Sequence, residues 1–271
     1  MSYLLENNEY YSNVMTRYSD YITPYPNAEE TARGLAILKY LAMIRQFYTN
    51  GDGTLRLLDL GCGRGWLTML ISAFGECEGI DPAAGMIKLA KEYYPQLVFH
   101  CMTLGDLLKS SATRHYDVII TSEVIEHVPQ AQKKDFVKQI HSALKPDGHC
   151  ILTTPRRELF KLFARRHKAV QLIEEWSTEK ELRSLFNECG FEVIEHDRAF
   201  PMRPRLFCHP DPRINLTRWL TRLKLEFLMR AVDHILSIYQ VWWLRKLPEP
   251  VTPERDDRKR LVRNGISRVY K

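Results

Sequence analysis

From Leu55 onward the chain alternates short apolar runs rich in β-forming residues with longer amphipathic stretches, the pattern of strand followed by crossover helix. The runs predict strands over Arg56–Leu60, Glu76–Ile80, Leu97–Cys101, Asp117–Thr121, His149–Thr154 and Phe191–Glu195. Between them, Gly65–Ala73, Ala83–Tyr93, Gln132–Leu144 and Thr178–Cys189 predict helices. The segments DVIIT and CILTT are apolar at nearly every position, which suits a parallel sheet covered on both faces. Lys145-Pro146-Asp147-Gly148 stops the third helix, because proline cannot continue it and Asp-Gly turns the chain. Ser177-Thr178 with Glu181 can cap the fourth in the manner of a capping box.

The flanks carry different patterns. Residues 1–54 read as a helical cap, with tyrosines at positions 10, 11, 18, 21 and 25 ahead of the apolar segment GLAILKYLAMI. That segment is expected to pack on the sheet edge, and the tyrosines either cover a pocket or join the core. Residues 213–247 read as a helical insertion whose longest uncharged run, Ile235–Leu244, is far shorter than the ~20 residues of a membrane span. Gly265–Lys271 alternates like a strand and is expected to return to the sheet beside Phe191–Glu195. The division that follows is a cap over 1–54, a core over 55–200, a substrate-side helical insertion over 201–263 and an edge strand over 264–271.

Composition adds limits. With 271 residues, 45% hydrophobic and 27% charged, 13 glycines and 14 prolines, a disordered or fibrous protein is excluded. The formal charge of +6 is uneven: residues 203–271 carry +9 and residues 1–202 carry −3. The basic quarter fits a polyanion, an anionic membrane surface or a solvated face. The six cysteines are widely spaced with no C-x-x-C pair, so they are expected to be free thiols. The start MSYLLENNEYYSN has neither a basic n-region nor an apolar stretch, which predicts a cytoplasmic protein without a signal peptide.

Candidate chemistry begins at Leu57-Leu58-Asp59-Leu60-Gly61-Cys62-Gly63-Arg64-Gly65-Trp66, a strand entering a glycine-rich turn that opens a helix. Glycine lets the backbone approach a ligand and takes positive φ without penalty. Ile80-Asp81 ends the next strand, where a carboxylate can accept hydrogen bonds from a ribose diol. The dinucleotide fingerprint G-x-G-x-x-G is broken by Trp66, and Asp59 places negative charge where phosphates are unwelcome. A ligand with a ribose and a cationic or zwitterionic group fits better, which points to S-adenosylmethionine.

LLDLGCGRGWLT, GIDPAAGMIKLAKE, HYDVIITSEVIEHV and ALKPDGHCILTTP together resemble the successive motifs of class I S-adenosylmethionine-dependent methyltransferases, over about residues 55–195. Within that superfamily, EVIEHV and the helical approach to the first strand look most like the O-methyltransferases of ubiquinone biosynthesis. The resemblance implies a Rossmann-like α/β fold, a seven-stranded mostly parallel sheet with helices on both faces. It also implies site roles: Gly61, Cys62 and Gly63 approach the methionine moiety, Asp81 followed by Pro82 holds the ribose hydroxyls, and Met86 packs near adenine. Met102 and Thr103 follow the third strand, where the family contacts adenine, although its usual acidic residue is missing there. Ser122 contacts the cofactor backbone, and Arg33 resembles the arginine that pairs with the cofactor carboxylate.

Glu123, Glu126 and His127 follow the fourth strand, at the end where α/β sheets place ligands. On a helix, this spacing would put all three on one face. Three readings stand: a Mg²⁺ site that fixes a hydroxyl, His127 as general base, and plain packing. Similar clusters occur in the ubiquinone-type enzymes and in methyltransferases acting on small-RNA 3′ ends. His167 can add a ligand, and Arg156 and Arg157 can hold an anionic acceptor. The expected function is methyl transfer to a hydroxyl or amine of a small molecule, hydrophobic or anionic. RNA 2′-O-methylation is the alternative, drawn from the basic C-terminal quarter with Trp219, Trp242 and Trp243. A silent cofactor-binding protein with a membrane-surface contact through 205–247, or a homodimer, is a further alternative.

Overall fold

The computed structural model describes residues 23–48, 54–110, 115–159, 174–201 and 215–248. Helix α1 (Ala28–Phe47) leads into β1 (Leu55–Leu60), α2 (Trp66–Ile71), β2 (Gly75–Asp81), α3 (Ala84–Tyr93), β3 (Val98–Cys101), α4 (Leu104–Lys109) and β4 (Tyr116–Ser122). The chain continues through α5 (Lys133–Ala143), β5 (Leu144–Pro155), α6 (Glu179–Glu188), β6 (Phe191–Pro201), α7 (Leu216–Arg222), α8 (Glu226–Leu236) and β7 (Ser237–Lys246). The seven strands form one sheet in the order β3-β2-β1-β4-β5-β7-β6. The neighbours from β3 to β5 pair in parallel, and β7 runs antiparallel to β5 and to β6. The strand order reverses direction at β1 and β4, and a crevice for ligands opens at such a point.

Both faces of the sheet are covered. On one, Ile37, Tyr40, Leu41 and Ile44 of α1 join Leu67 and Ile71 of α2 against Leu57, Val118, Ile120, Ile151 and Val241. On the other, Leu104 and Leu107 of α4, Val137 and Ile140 of α5, and Leu182 and Phe186 of α6 pack on Leu58, Ile119, Leu152 and Trp242. The continuously apolar strands follow from this two-sided burial.

Local chemistry sets the helix ends. Thr178 and Glu181 form the reciprocal capping box that their spacing predicts for α6, and Asn27 and Glu30 form another that starts α1. Helix α5 stops at Ala143, ahead of Lys145-Pro146-Asp147-Gly148, where Asp147 takes a positive φ.

Both flanks differ from the expectation: α1 lies on a face of the sheet, over β1, β4, β5 and β7, and not at its edge. Residues 213–247 do not form a helical insertion throughout: helices occupy Leu216–Arg222 and Glu226–Leu236, and Ser237–Lys246 is a strand inserted between β5 and β6. Trp242 and Leu244 enter the core on one face while Tyr239, Val241 and Trp243 enter it on the other. Burial on both sides makes such a strand uniformly apolar, so periodicity alone does not separate it from a buried helix. The place beside the strand Phe191–Pro201 is therefore taken by residues 237–246, and Phe191–Pro201 is itself the edge; Gly265–Lys271 lies outside the described residues. Among those residues no helix is long and apolar enough to cross a membrane.

Candidate functional site

Strand β1 ends at Leu60, and the turn after it is shaped by three glycines with positive φ: Gly61 at 78°, Gly63 at 51° and Gly65 at 85°. Left-handed backbone of this kind costs other residues about 1–2 kcal/mol each. The Gly61 and Cys62 amides both donate to the Ile80 carbonyl, at 2.8 and 3.1 Å, which ties the turn to the end of β2. A Cβ on Gly61 would overlap the Val124 side chain, whereas one on Gly63 would lie 3.5 Å from Met86 Cε, in ordinary contact. Gly61 thus lets the loop after β4 close against the loop after β1, and Gly63 leaves open space beside Met86.

Asp81 sits across this turn. Its carboxylate accepts from the Gly63 amide at 3.0 Å and from the Ala83 amide at 2.8 Å. Burial pushes its carboxyl upward, and those two amides pull it back. Asp59 is deeper: it accepts from the Thr68 hydroxyl at 2.6 Å, and burial pushes its carboxyl up to about 7. Cys62 is buried, Pro82 accepts from the Cys101 thiol through its carbonyl, and the Met102 amide donates to the Asp81 carbonyl. Thr103 caps α4 in a reciprocal box with Asp106. Asp106 stands in the first turn of α4, its carboxylate engaged by the Thr103 amide and hydroxyl.

The loop after β4 brings in the second group. The Glu123 backbone has a φ of 60°, a left-handed position for a non-glycine residue, held by its amide donating to the Thr153 carbonyl at 3.0 Å. Ser122 and Thr153 share a hydroxyl hydrogen bond of 2.8 Å, and Thr153 also donates to Glu123 at 3.2 Å. Arg33 Nε lies 3.9 Å from Glu123 Oε1, while its guanidinium stacks 4.4 Å from the centre of the Tyr239 ring. Burial pushes the Glu123 carboxyl upward and Arg33 draws it back. Glu126 points inward, accepting from Thr154 at 2.9 Å, and burial raises its carboxyl too. His127 Nε2 stands 3.9 Å from Glu126 Oε1.

These three residues are not assembled as metal ligands. Ile125–His127 is a single 3-10 turn entered through a left-handed residue, not an α-helix, so the spacing does not gather the side chains on one face. Glu126 turns under β5 toward Thr154 and Glu123 turns toward Arg33 and Thr153. Among the described residues no three His, Cys, Asp or Glu side chains are grouped so as to hold a metal ion. The residues present do not fit the expected Mg²⁺, and His167 lies outside the described residues.

Other expectations change as well. Arg156 is buried and donates to the carbonyls of Ile235 and Ser237 at 3.0 and 2.9 Å, with Glu179 3.2 Å from its Nε. Arg157 pairs with Glu181 at 2.9 Å. Arg156 is thus engaged within the fold, whereas Arg157 stands in an exposed ion pair at the surface. Trp242 and Trp243 are sheet core and offer no stacking platform for RNA. Of the membrane-surface segment 205–247, residues 237–246 are a sheet strand.

The structure also adds residues that no motif marked. Arg64, inside the glycine turn, makes a two-point ion pair with Glu30 and donates to the carbonyls of Thr23 and Tyr25. The Tyr94 hydroxyl donates to the Pro24 carbonyl. The segment ahead of α1 is thereby fastened over the turn. The tyrosines before Thr23 lie outside the described residues. Buried Lys133 donates to the Glu175 carbonyl and to Ser177, and Glu175 in turn donates its amide to the Glu126 carbonyl at 2.8 Å. The only sequence signal for such contacts is a charged residue inside an otherwise apolar helix face, as with Glu30 and Arg33.

The donor set fits S-adenosylmethionine on three counts: a carboxylate at the end of β2, an open left-handed glycine turn beside it, and a buried guanidinium. Arg33 Nε has no hydrogen-bond partner among the described residues, which leaves a donor for an anionic group.

Comparison with known proteins agrees with this geometry. The profile of a family described as "Methyltransferase domain" matches residues 17–196. The ubiquinone biosynthesis O-methyltransferase of Ruegeria pomeroyi is 29% identical over 165 residues, covering 55% of this chain and 64% of that protein. That of Bradyrhizobium diazoefficiens is 30% identical over 149 residues, covering 53% and 56%. The matches thus span roughly half to two thirds of these curated relatives. Among solved structures, magnesium protoporphyrin IX methyltransferase from Synechocystis with bound S-adenosylmethionine superposes with a TM-score of 0.58 at 14% identity, covering 91% of this chain and 98% of that one. The plantazolicin methyltransferase in complex with S-adenosylhomocysteine gives 0.52 at 14% identity, covering 90% of each chain.

Proposed function

This chain belongs to the methyltransferase domain family, and from that membership we propose that it moves a methyl group from S-adenosylmethionine to a hydroxyl of a small molecule. The observation that carries the reading is Asp81 standing against the left-handed Gly61–Gly63 turn, hydrogen-bonded to the Gly63 amide at 3.0 Å. A ribose diol is held by a carboxylate in such a place, and the glycine turn admits the backbone close to a ligand. When bound, S-adenosylmethionine supplies a methyl group on a sulfonium, whose departure leaves a neutral thioether. Little covalent help is then needed, and the protein's share is alignment and exclusion of water.

Each residue group has its part. Asp81 exchanges its amide partners for ribose hydroxyls, Met86 and Met102 flank adenine, and Arg33 receives the carboxylate. The segment ahead of α1, pinned by Arg64, shields the turn from water. His127 accepts the acceptor's hydroxyl proton as the new carbon–oxygen bond forms and the sulfur–carbon bond breaks. Buried Glu126, 3.9 Å away, stabilises the imidazolium so formed. Glu126 is itself held by Thr154 and touches neither substrate, which makes it a positioning residue.

The acceptor class is a hydrophobic hydroxyl compound such as a phenol, a reading supported by the curated relatives. Helices α7 and α8 support a surface contact with lipid: Leu223, Phe227 and Ile235 are exposed beside Arg218, Arg222 and Arg230. Residues 237–246, a buried sheet strand, take no part in that contact. Co-sedimentation with anionic liposomes, weakened by Phe227→Ser, checks it.

The test of the main reading is calorimetric titration of S-adenosylmethionine against wild type and Asp81→Ala. Micromolar binding that falls by at least about tenfold in the variant, the loss of one charge-assisted hydrogen-bond pair, supports it. Absence of binding to the wild-type protein overturns it.

A further inference from the structure

Arg33 is the one basic side chain that α1 turns into the site, and its surroundings are unusually specific. It is 7% exposed. One face of its guanidinium rests on the Tyr239 ring at 4.4 Å, a contact that holds a cation without using any of its N–H donors. The Tyr239 hydroxyl is in turn anchored, donating to Glu29 at 2.6 Å. Burial works against the charge on Arg33, but Glu123, Tyr239, Glu30 and Glu29 outweigh it and keep the guanidinium charged. Of these carboxylates, Glu30 is taken by Arg64 and Glu29 by the tyrosine hydroxyl. That leaves Glu123, whose Oε1 faces Arg33 Nε at 3.9 Å, too long for a hydrogen bond.

The pairing is therefore incomplete on both sides. Arg33 Nε remains without a hydrogen-bond partner, and Glu123 is held in a left-handed backbone position, its carboxylate also accepting from Thr153 at 3.2 Å. A buried cation with an unsatisfied donor favours any carboxylate that can approach more closely. We infer that Glu123 is an internal stand-in for the cofactor's carboxylate: it neutralises Arg33 in the empty enzyme, yields Arg33 when the cofactor enters, and takes it back as the spent product leaves. The inference rests on the reading of Arg33 as the cofactor's carboxylate partner. In consequence Glu123 weakens cofactor and product binding alike, which favours turnover over tight retention.

Two ligands separate this effect from general damage. S-adenosylhomocysteine carries the amino-acid carboxylate, and 5′-methylthioadenosine keeps the adenosine and thioether but lacks it. Calorimetry with both, on wild type, Glu123→Gln, Arg33→Gln and the double variant, tests the exchange. Glu123→Gln keeps the shape of the side chain, and its thermal unfolding is checked in parallel. The expected result is S-adenosylhomocysteine bound about three- to tenfold more tightly by Glu123→Gln, the scale of a partly solvated ion pair removed from competition. Affinity for 5′-methylthioadenosine should be unchanged. Arg33→Gln should lose affinity for S-adenosylhomocysteine alone, and adding Glu123→Gln to it should restore nothing. If wild type binds both ligands but Glu123→Gln binds S-adenosylhomocysteine no more tightly, the stand-in role is overturned and the cofactor site stands. If wild type binds neither, the cofactor reading falls and this inference with it.

Discussion

Arg64 and Glu30 meet through two parallel hydrogen bonds, Nη1 to Oε1 at 2.9 Å and Nη2 to Oε2 at 2.7 Å, with both side chains sealed from water. Glu30 uses Oε2 a second time, accepting from the Asn27 amide to complete the cap of α1. One carboxylate thus joins the start of the first helix to the glycine turn. Removing either partner leaves an uncompensated buried charge, which costs about 3–5 kcal/mol. Glu30→Gln should lower the unfolding free energy by that amount and also weaken cofactor binding, since the segment over the turn is released. Urea unfolding and calorimetry on the same variant check both effects, and a cofactor affinity equal to wild type would remove the shielding role of residues 23–26.

The glycine turn predicts an unequal pair of variants. Gly61→Ala meets Val124 and a φ of 78° together, whereas Gly63→Ala meets a φ of 51° and only ordinary contact with Met86. Gly63→Ala should cost about 1–2 kcal/mol, and Gly61→Ala clearly more, because Val124 must move and takes the Glu123 loop with it. Thermal unfolding of the two variants ranks them. Equal losses would mean that the loop after β4 gives way freely.

Asp59 links stability to pH. Its carboxyl ionises near 7 in the fold against 3.8 in the open chain, because burial opposes the charge more than Thr68 supports it. Between those values the folded state holds a proton that the unfolded state has lost, so this contribution to stability is full below pH 3.8 and is lost as pH rises to about 7. Asp59→Asn keeps an acceptor for Thr68 and removes the titration. Relative to wild type, it should gain on the order of 2–4 kcal/mol between pH 4 and pH 8. A gap that does not widen with pH, followed by chemical denaturation without cofactor, would show Asp59 ionised at little cost.

Strand β7 makes residues 237–246 part of the sheet. Trp242 is fully buried, stacks on His196 with ring centres 4.0 Å apart and meets Phe186 edge-on at 5.4 Å. Trp242→Ala should cost about 3–5 kcal/mol, whereas Phe227→Ala on the exposed side of α8 should stay within about 0.5 kcal/mol. Measured midpoints that reversed this order would contradict the placement of residues 237–246 inside the sheet.

The sequence by itself determined the parallel half of the sheet, its crossover helices other than Leu104–Lys109, the capping box of α6 and the positions of Gly61, Gly63 and Asp81. Each of these depends on short-range rules: residue type sets backbone freedom at the turn, and apolar runs set strands. Those rules place Asp81 at the end of β2, but they do not tell which neighbouring turn it bonds. Tertiary structure decided the rest. Whether SIYQVWWLRK lies in a helix or a strand depends on whether β5 and β6 offer it edges on both sides, and no local pattern carries that information. Likewise EVIEHV fixes the residues but not their directions. A single left-handed residue at Glu123 aims one carboxylate at Arg33 across the sheet's end, while the 3-10 turn after it buries the next beneath Thr154. Arg33, Glu123 and Tyr239 are separated by 90 or more residues along the chain. Their meeting is a product of strand order, and the chemistry proposed for the site depends on it.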